Sequence, residues 1–201
     1  MKKIVVIAFV LAVSVVTCHA QESRQDVSLS GQALVYPFMA STTDVMVNSN
    51  AAYGALLSYR FMITPSSAVE ANYGITYENT FHYTISNTNN YNVLNRTQEV
   101  SFAYVRYFVW KNFNPFLEAG PAALVYLPIR NIGTTSLDVK QSEQTGVLYG
   151  GGIAYELSPS WDFRAEFRNI VTKVPNFSYR QLTTKRWFNI FEPTVGFAYH
   201  F

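Results

Sequence analysis

Cys18 is the only cysteine in this 201-residue chain. A chain matured beyond that point can make no disulfide and use no thiol chemistry, so its stability has to come from strand pairing. Long apolar runs are equally scarce. One run extends from Ile4 to Val13 and on through Val15 and Val16. It is too short to cross a bilayer as a helix, and no other stretch approaches the roughly 18 apolar residues such a span requires. Any membrane insertion must therefore use strands. The sequence also lacks a Pro/Gly/Ser linker and any second composition regime, which predicts one domain.

The apolar run has an address function. Lys2 and Lys3 precede it, and Cys18-His19-Ala20 ends it before Gln21-Glu22. This is the pattern of a secretory signal peptide, residues 1–20, cleaved after Ala20 to leave a single domain over 21–201. A lipid anchor on Cys18 is disfavoured because Thr17 stands where a small Gly, Ala or Ser is expected. Cleavage removes Lys2 and Lys3, which lowers fifteen Lys and Arg to thirteen, equal to the thirteen Asp and Glu. A neutral mature chain without a recognised nucleic-acid fold predicts no nucleic-acid partner.

Aromatic residues are abundant by contrast, at 16% and mostly Tyr and Phe, which suits the aromatic girdles of a membrane barrel. The final segment sets Phe191, Pro193, Val195, Phe197, Tyr199 and Phe201 on one face of a strand. Glu192, Thr194, Gly196, Ala198 and His200 fall on the other. It resembles the closing strand of bacterial outer-membrane barrel proteins, whose terminal Phe is read by the barrel assembly machinery. The same period of two recurs in segments beginning near Val27, Tyr53, Val69, Glu99, Phe116, Gly146 and Trp161. Eight strands are therefore expected. Their connections alternate between tight turns at 64–67, 111–114 and 158–160 and long polar segments at 38–50, 79–98, 130–144 and 170–187. That alternation predicts an all-β fold, an eight-stranded antiparallel up-and-down transmembrane β-barrel, with short turns in the periplasm and long loops outside.

Charges in such strands should face the lumen, because a lipid-facing charge costs about 2–4 kcal/mol at the bilayer midplane. Hairpin arithmetic places Arg60 opposite or nearly opposite Glu70, Arg106 close to Glu118, and Glu156 opposite or diagonal to Arg164. Placing Arg106 inward turns Val100, Phe102 and Tyr104 inward with it and leaves Ser101, Ala103, Val105 and Tyr107 on the lipid face. With Glu166, Arg168 and Glu192 these couples form an expected lumenal ion-pair network. An eight-stranded interior is just wide enough for side chains to fill, so the network reads as a plug, with a small gated pore as its alternative. Gly74, Gly120, Gly146, Gly150, Gly152 and Gly196 leave room for water-filled gaps.

Phe163-Arg164-Ala165-Glu166-Phe167-Arg168 and the terminal Phe201 carry a resemblance to the small eight-stranded barrels, the OmpA-type transmembrane domain and the OmpX/Ail and OmpW families. The resemblance implies an outer-membrane location and a barrel fold. The peptidoglycan-binding domain that follows the barrel in full OmpA proteins is not expected, since the sequence stops at Phe201. Family members include adhesins, small-solute channels and proteins of no assigned role.

A hydrolase acting on lipids is the competing class. It would need a nucleophile, a base and an orienting group together. His82 belongs to an outer loop and His200 to the periplasmic end, a membrane thickness apart, and the His-x-Ser-Asn strand motif of lipid A deacylases is missing. No catalytic residue, metal site or cofactor is expected, since no His/Cys/Asp/Glu cluster has ligand spacing. The loop before the last strand carries Lys173, Arg180, Lys185 and Arg186 without an acid, interleaved with Phe177, Tyr179 and Trp187. At an outer rim this set suits lipopolysaccharide phosphates or an anionic host or phage surface. The expected role is accordingly non-enzymatic, structural or surface-interacting in the manner of an adhesin, with a narrow pore for ions or small solutes as the alternative. The sequence assigns no oligomeric state.

Overall fold

Alternating side chains sort each strand into a wet face and an apolar face, and the fold closes the wet faces on one another. A computed structural model describes residues 24–37, 45–85, 89–129, 140–178 and 186–201. The expected leader over 1–20 with Cys18, and the basic residues Arg180 and Lys185, lie outside the described residues. The strands are β1 (Gln25–Leu34), β2 (Val45–Ser49), β3 (Ala52–Thr64), β4 (Ser67–Thr76), β5 (Asn79–Ile85), β6 (Asn89–Tyr107), β7 (Phe113–Pro128), β8 (Ser142–Ser158), β9 (Trp161–Lys173) and β10 (Trp187–His200).

Ten elements make an eight-staved barrel. β2 continues the line of β3, and β5 continues that of β4, because both pairs keep one antiparallel register from Val45↔Ile85 through Gly54↔Thr76. The neighbour order runs β6-β4-β3-β1-β10-β9-β8-β7, and β6–β7 pairing closes the ring. Between Ile75↔Gln98 and Asn79↔Asn95 the β4–β5 line advances four residues while β6 advances three. One extra residue makes a bulge there. The Thr76 hydroxyl spans it, accepting from the Thr97 N–H at 3.0 Å and donating to the Thr97 carbonyl at 3.2 Å.

The facing of β1, β3, β4, β7 and β10 follows the sequence pattern. Ser28, Ser30, Gln32, Ser58, Arg60, Glu70 and Asn72 are buried, whereas Leu29, Leu57, Val69, Tyr73 and Phe197 lie open on the outer wall. β6 is the exception. Arg106 lies on the outside with Val100, Phe102 and Tyr104, while Glu99, Ser101, Ala103, Val105 and Tyr107 point inward. The expected register of this strand is thus inverted. Three large apolar side chains gain lipid contact, and Arg106 sits at the strand end, where an outward charge costs only about 0–1 kcal/mol. Arg106→Gln should accordingly leave the urea midpoint of the folded barrel within that range. A loss of several kcal/mol would return Arg106 to the lumen.

The polar segment expected as a loop over 79–98 is largely paired. β5 and the first half of β6 form a hairpin, and β2 extends it. β6 has 19 residues, about 60 Å at ~3.3 Å each. Tilted by ~45° it still rises about 45 Å, well past a ~25 Å apolar band. The sheet therefore projects beyond the membrane at the loop end.

Candidate functional site

The lumen has two fillings, a charged band in the turn-end half and an aromatic cluster in the loop-end half. Two arginines organise most of the band. Arg60 on β3 bonds Glu70 on β4 and the Tyr107 hydroxyl on β6. It lies 3.5 Å from Glu166 on β9, with its guanidinium 4.6 Å from the centre of the Phe116 ring. Arg168 on β9 meets Glu99 at 2.6 Å, Glu192 at 3.2 Å, Glu118 at 3.6 Å and the Ser101 hydroxyl at 3.0 Å. The Thr194 hydroxyl donates to Glu166 at 3.2 Å, which fixes the carboxylate that faces Arg60. At the turn-end mouth Arg164 pairs with Asp26 at 2.7 Å, and His200 reaches Asp162 at 2.8 Å.

The structure brings Arg60 and Glu70 together and gives the other two couples different partners. Glu118 stands opposite Val105 and serves Arg168, because Arg106 is on the outer wall. Glu156 stands opposite Asp162 beside a bulge at the exposed end of β8, so Arg164 takes Asp26 instead. Asp26, Glu99 and Tyr107 are among the partners that went unforeseen. Asp26 continues the inward series Ser28, Ser30, Gln32 by one more step, and that extension would have found it. Glu99 and Tyr107 follow from the corrected facing of β6.

Glycines give this band its room, because neighbouring atoms stand where their Cβ would lie. A Cβ on Gly150 would meet the Phe167 carbonyl at 2.7 Å and Glu118 at 3.2 Å. One on Gly152 would meet the Phe116 ring at 2.8 Å, and one on Gly74 the Gln32 side chain at 3.0 Å. Acids outnumber bases: apart from the Asp162–His200 pair at the mouth, Arg60, Arg164 and Arg168 face Asp26, Glu70, Glu99, Glu118, Glu166 and Glu192, all buried.

At the loop end Leu34, Tyr36, Val47, Phe81, Tyr83, Leu124, Tyr126, Leu148, Ile170, Phe177, Phe188 and Ile190 form one buried cluster. Phe177 lies after β9 and folds back into the lumen, within 6.1 Å of Phe81, 6.3 Å of Tyr83 and 6.4 Å of Tyr126 between ring centres. Of the expected basic set, Lys173 and Trp187 pair across β9 and β10 on the outer wall, with the ammonium 5.4 Å from the indole centre. The backbone carbonyl of Arg186 accepts from the Val174 N–H at 3.1 Å. His82 lies on β5 against Asn92 at 2.7 Å, at the opposite end of the barrel from His200. Phe201 closes the chain with its ring stacked on Tyr199 at 6.4 Å and its N–H bonded to the Gln25 carbonyl at 3.0 Å.

An eight-staved barrel with an apolar outer wall and a polar interior is the architecture of outer-membrane proteins. The family model for the outer membrane protein β-barrel domain matches residues 6–201. The chain belongs to that family. No curated protein sequence matches it significantly. Solved barrels of the same fold include outer membrane protein OprG from Pseudomonas aeruginosa. It is 10% identical with a TM-score of 0.67, covering 90% of this chain and 98% of its own. The N-terminal barrel of OprF from Pseudomonas aeruginosa is 13% identical with a TM-score of 0.52, covering 90% and 100%. Ail, the attachment invasion locus protein of Yersinia pestis, solved with the heparin analogue sucrose octasulfate, is 12% identical with a TM-score of 0.52, covering 88% and 98%. At these identities the likeness is one of fold. Membership of the family places this β-barrel domain in the outer membrane.

Proposed function

We propose that this barrel works as a surface-binding protein of the outer membrane, exported by its leader, and that its lumen is structural. One observation carries the reading: the interior is occupied at both levels, by the Arg60 and Arg168 clusters in the turn-end half and by the aromatic cluster in the loop-end half. A binding role then belongs to the strands and loops that rise past the membrane. The outward pair of Lys173 and Trp187 offers a cation and an aromatic face to a phosphate- or sulfate-bearing surface, and Arg186, exposed, precedes Trp187 in the chain. Ail, of the same fold, was solved with a polysulfated sugar. Arg180 and Lys185 would add to this rim, and lipopolysaccharide or a host polyanion is the partner class.

Binding of the refolded chain to lipopolysaccharide and to heparin, set against its conductance in planar bilayers, tests the proposal. A silent bilayer and polyanion binding that falls about fivefold in Lys173→Gln/Arg186→Gln, roughly 1 kcal/mol lost, are expected. Unchanged binding in that variant would sink the anion-rim reading. A narrow pore is the second reading, and the carboxylate excess of the band favours it: six carboxylates against three guanidiniums would make any pathway cation-selective. Discrete openings with a cation-selective reversal potential would put this reading first.

A further inference from the structure

Arg106, on the outer wall at the turn end, has no role in either reading. Arg106 is exposed, and its Nη1 donates to the Ser67 hydroxyl at 2.8 Å. The Tyr104 hydroxyl bonds the same oxygen at 2.9 Å. These contacts hold the guanidinium against the first residue of β4, at the membrane edge, and leave most of its five N–H donors for an outside acceptor. Among the described residues no carboxylate lies within ion-pair distance of Arg106 or of Lys111, five residues on from it in the connection to β7.

That connection differs from the other two short turns. Pro65-Ser66 and Pro159-Ser160 are small and polar, whereas Phe108, Val109 and Trp110 are three consecutive apolar residues, 54%, 64% and 71% exposed. The turn is nevertheless firmly built. Its base is tied by the Phe108 N–H to the Pro115 carbonyl at 2.8 Å, and its tip by the Trp110 N–H to Asn114 at 3.2 Å and the Phe113 N–H to the Trp110 carbonyl at 3.1 Å. Lys111 takes a left-handed backbone with φ of 55° to close it. An aqueous surface gives no reason to hold three apolar side chains open on a fixed turn. A lipid surface does, since Trp and Phe with flanking Arg and Lys are the residue types that settle at the headgroup level.

We infer that Arg106, Lys111 and the Phe108–Trp110 turn form a site for the phosphodiester of an anionic glycerophospholipid in the leaflet at the turn end. The guanidinium suits bidentate contact with the phosphate, the ammonium adds a point charge, and the apolar turn seats beside the acyl chains. The site is continuous with the lipid-facing wall through Tyr104 and Leu117, both exposed.

Trp110 reports on its own site once the other two tryptophans are removed by Trp161→Phe/Trp187→Phe. In bilayers of phosphatidylcholine, brominated phosphatidylglycerol should quench Trp110 with about fivefold preference over brominated phosphatidylcholine, the factor that corresponds to about 1 kcal/mol for a basic residue near an anionic surface. Adding Arg106→Gln/Lys111→Gln should bring the preference to about one, while Arg106→Lys keeps part of it. Adding Lys173→Gln/Arg186→Gln at the other rim should leave it unchanged, and heat-modifiable migration checks that each variant is folded. Equal quenching by the two lipids before the basic residues are changed would overturn the assignment. So would a preference that survives in the double Gln variant, or one lost on changing the other rim.

Discussion

Replacing Arg168 with Met should cost the barrel at least 3–5 kcal/mol, read as a lowered urea midpoint and loss of the heat-modifiable band. The expectation follows from what the residue holds together. Glu99, Glu118 and Glu192 reach it from β6, β7 and β10, at 2.6 to 3.6 Å. All are buried, and each carries a desolvation cost that only a neighbouring cation offsets. Breaking a single buried pair by removing one partner costs about 3–5 kcal/mol, and here one substitution strands three carboxylates. The band already carries twice as many carboxylates as guanidiniums, so no other cation is free to replace it. The penalty comes from unpaired charge and not from lost volume, because Met fills much of the space of the Arg stem. Neutralising the acids in the same background, Glu99→Gln, Glu118→Gln and Glu192→Gln, should therefore recover most of the stability. A single variant as stable as the parent would mean that the cluster is not assembled around Arg168.

The legibility of this arrangement in the sequence depended on where a residue sits along its strand. Within the bilayer, lipid enforces strict alternation, and Leu29, Leu57, Val69, Tyr73 and Phe197 mark the outer face unmistakably. Arg60 and Glu70 could be paired from turn position alone because the β3–β4 register is regular above its bulge at the turn. The rule that charges face inward failed at strand ends, where the penalty vanishes. Arg106 and Glu156 both lie there, and Arg106, taken as a lumen marker, inverted β6 and concealed Glu99. Beyond the bilayer the alternation signal itself fades. The Asn-rich run before Thr97 reads as loop, yet it pairs as β5 and β6, since a strand with water on one face needs no apolar outer residues.

Phe177 shows the same limit from the opposite side, and its removal is the second large effect expected. It stands among basic residues in sequence and reads as rim, but its ring is fully buried against Phe81, Tyr83 and Tyr126. Its backbone is left-handed, with φ of 49°, unfavourable for a bulky residue. The fold tolerates that cost because the ring closes the cluster, and because the Tyr83 hydroxyl donates to the Pro175 carbonyl at 2.7 Å and the Lys140 backbone N–H to the Phe177 carbonyl at 3.0 Å. Phe177→Ala should destabilise the barrel by about 3–5 kcal/mol, the range for truncating a buried Phe. It should also open the loop-end lumen down to the charged band. In planar bilayers the variant is expected to stay silent, because the Arg168 cluster still fills the section beneath. Discrete openings in Phe177→Ala, absent from the parent, would make the aromatic cluster the sole barrier and move the protein's function from its rim to its interior.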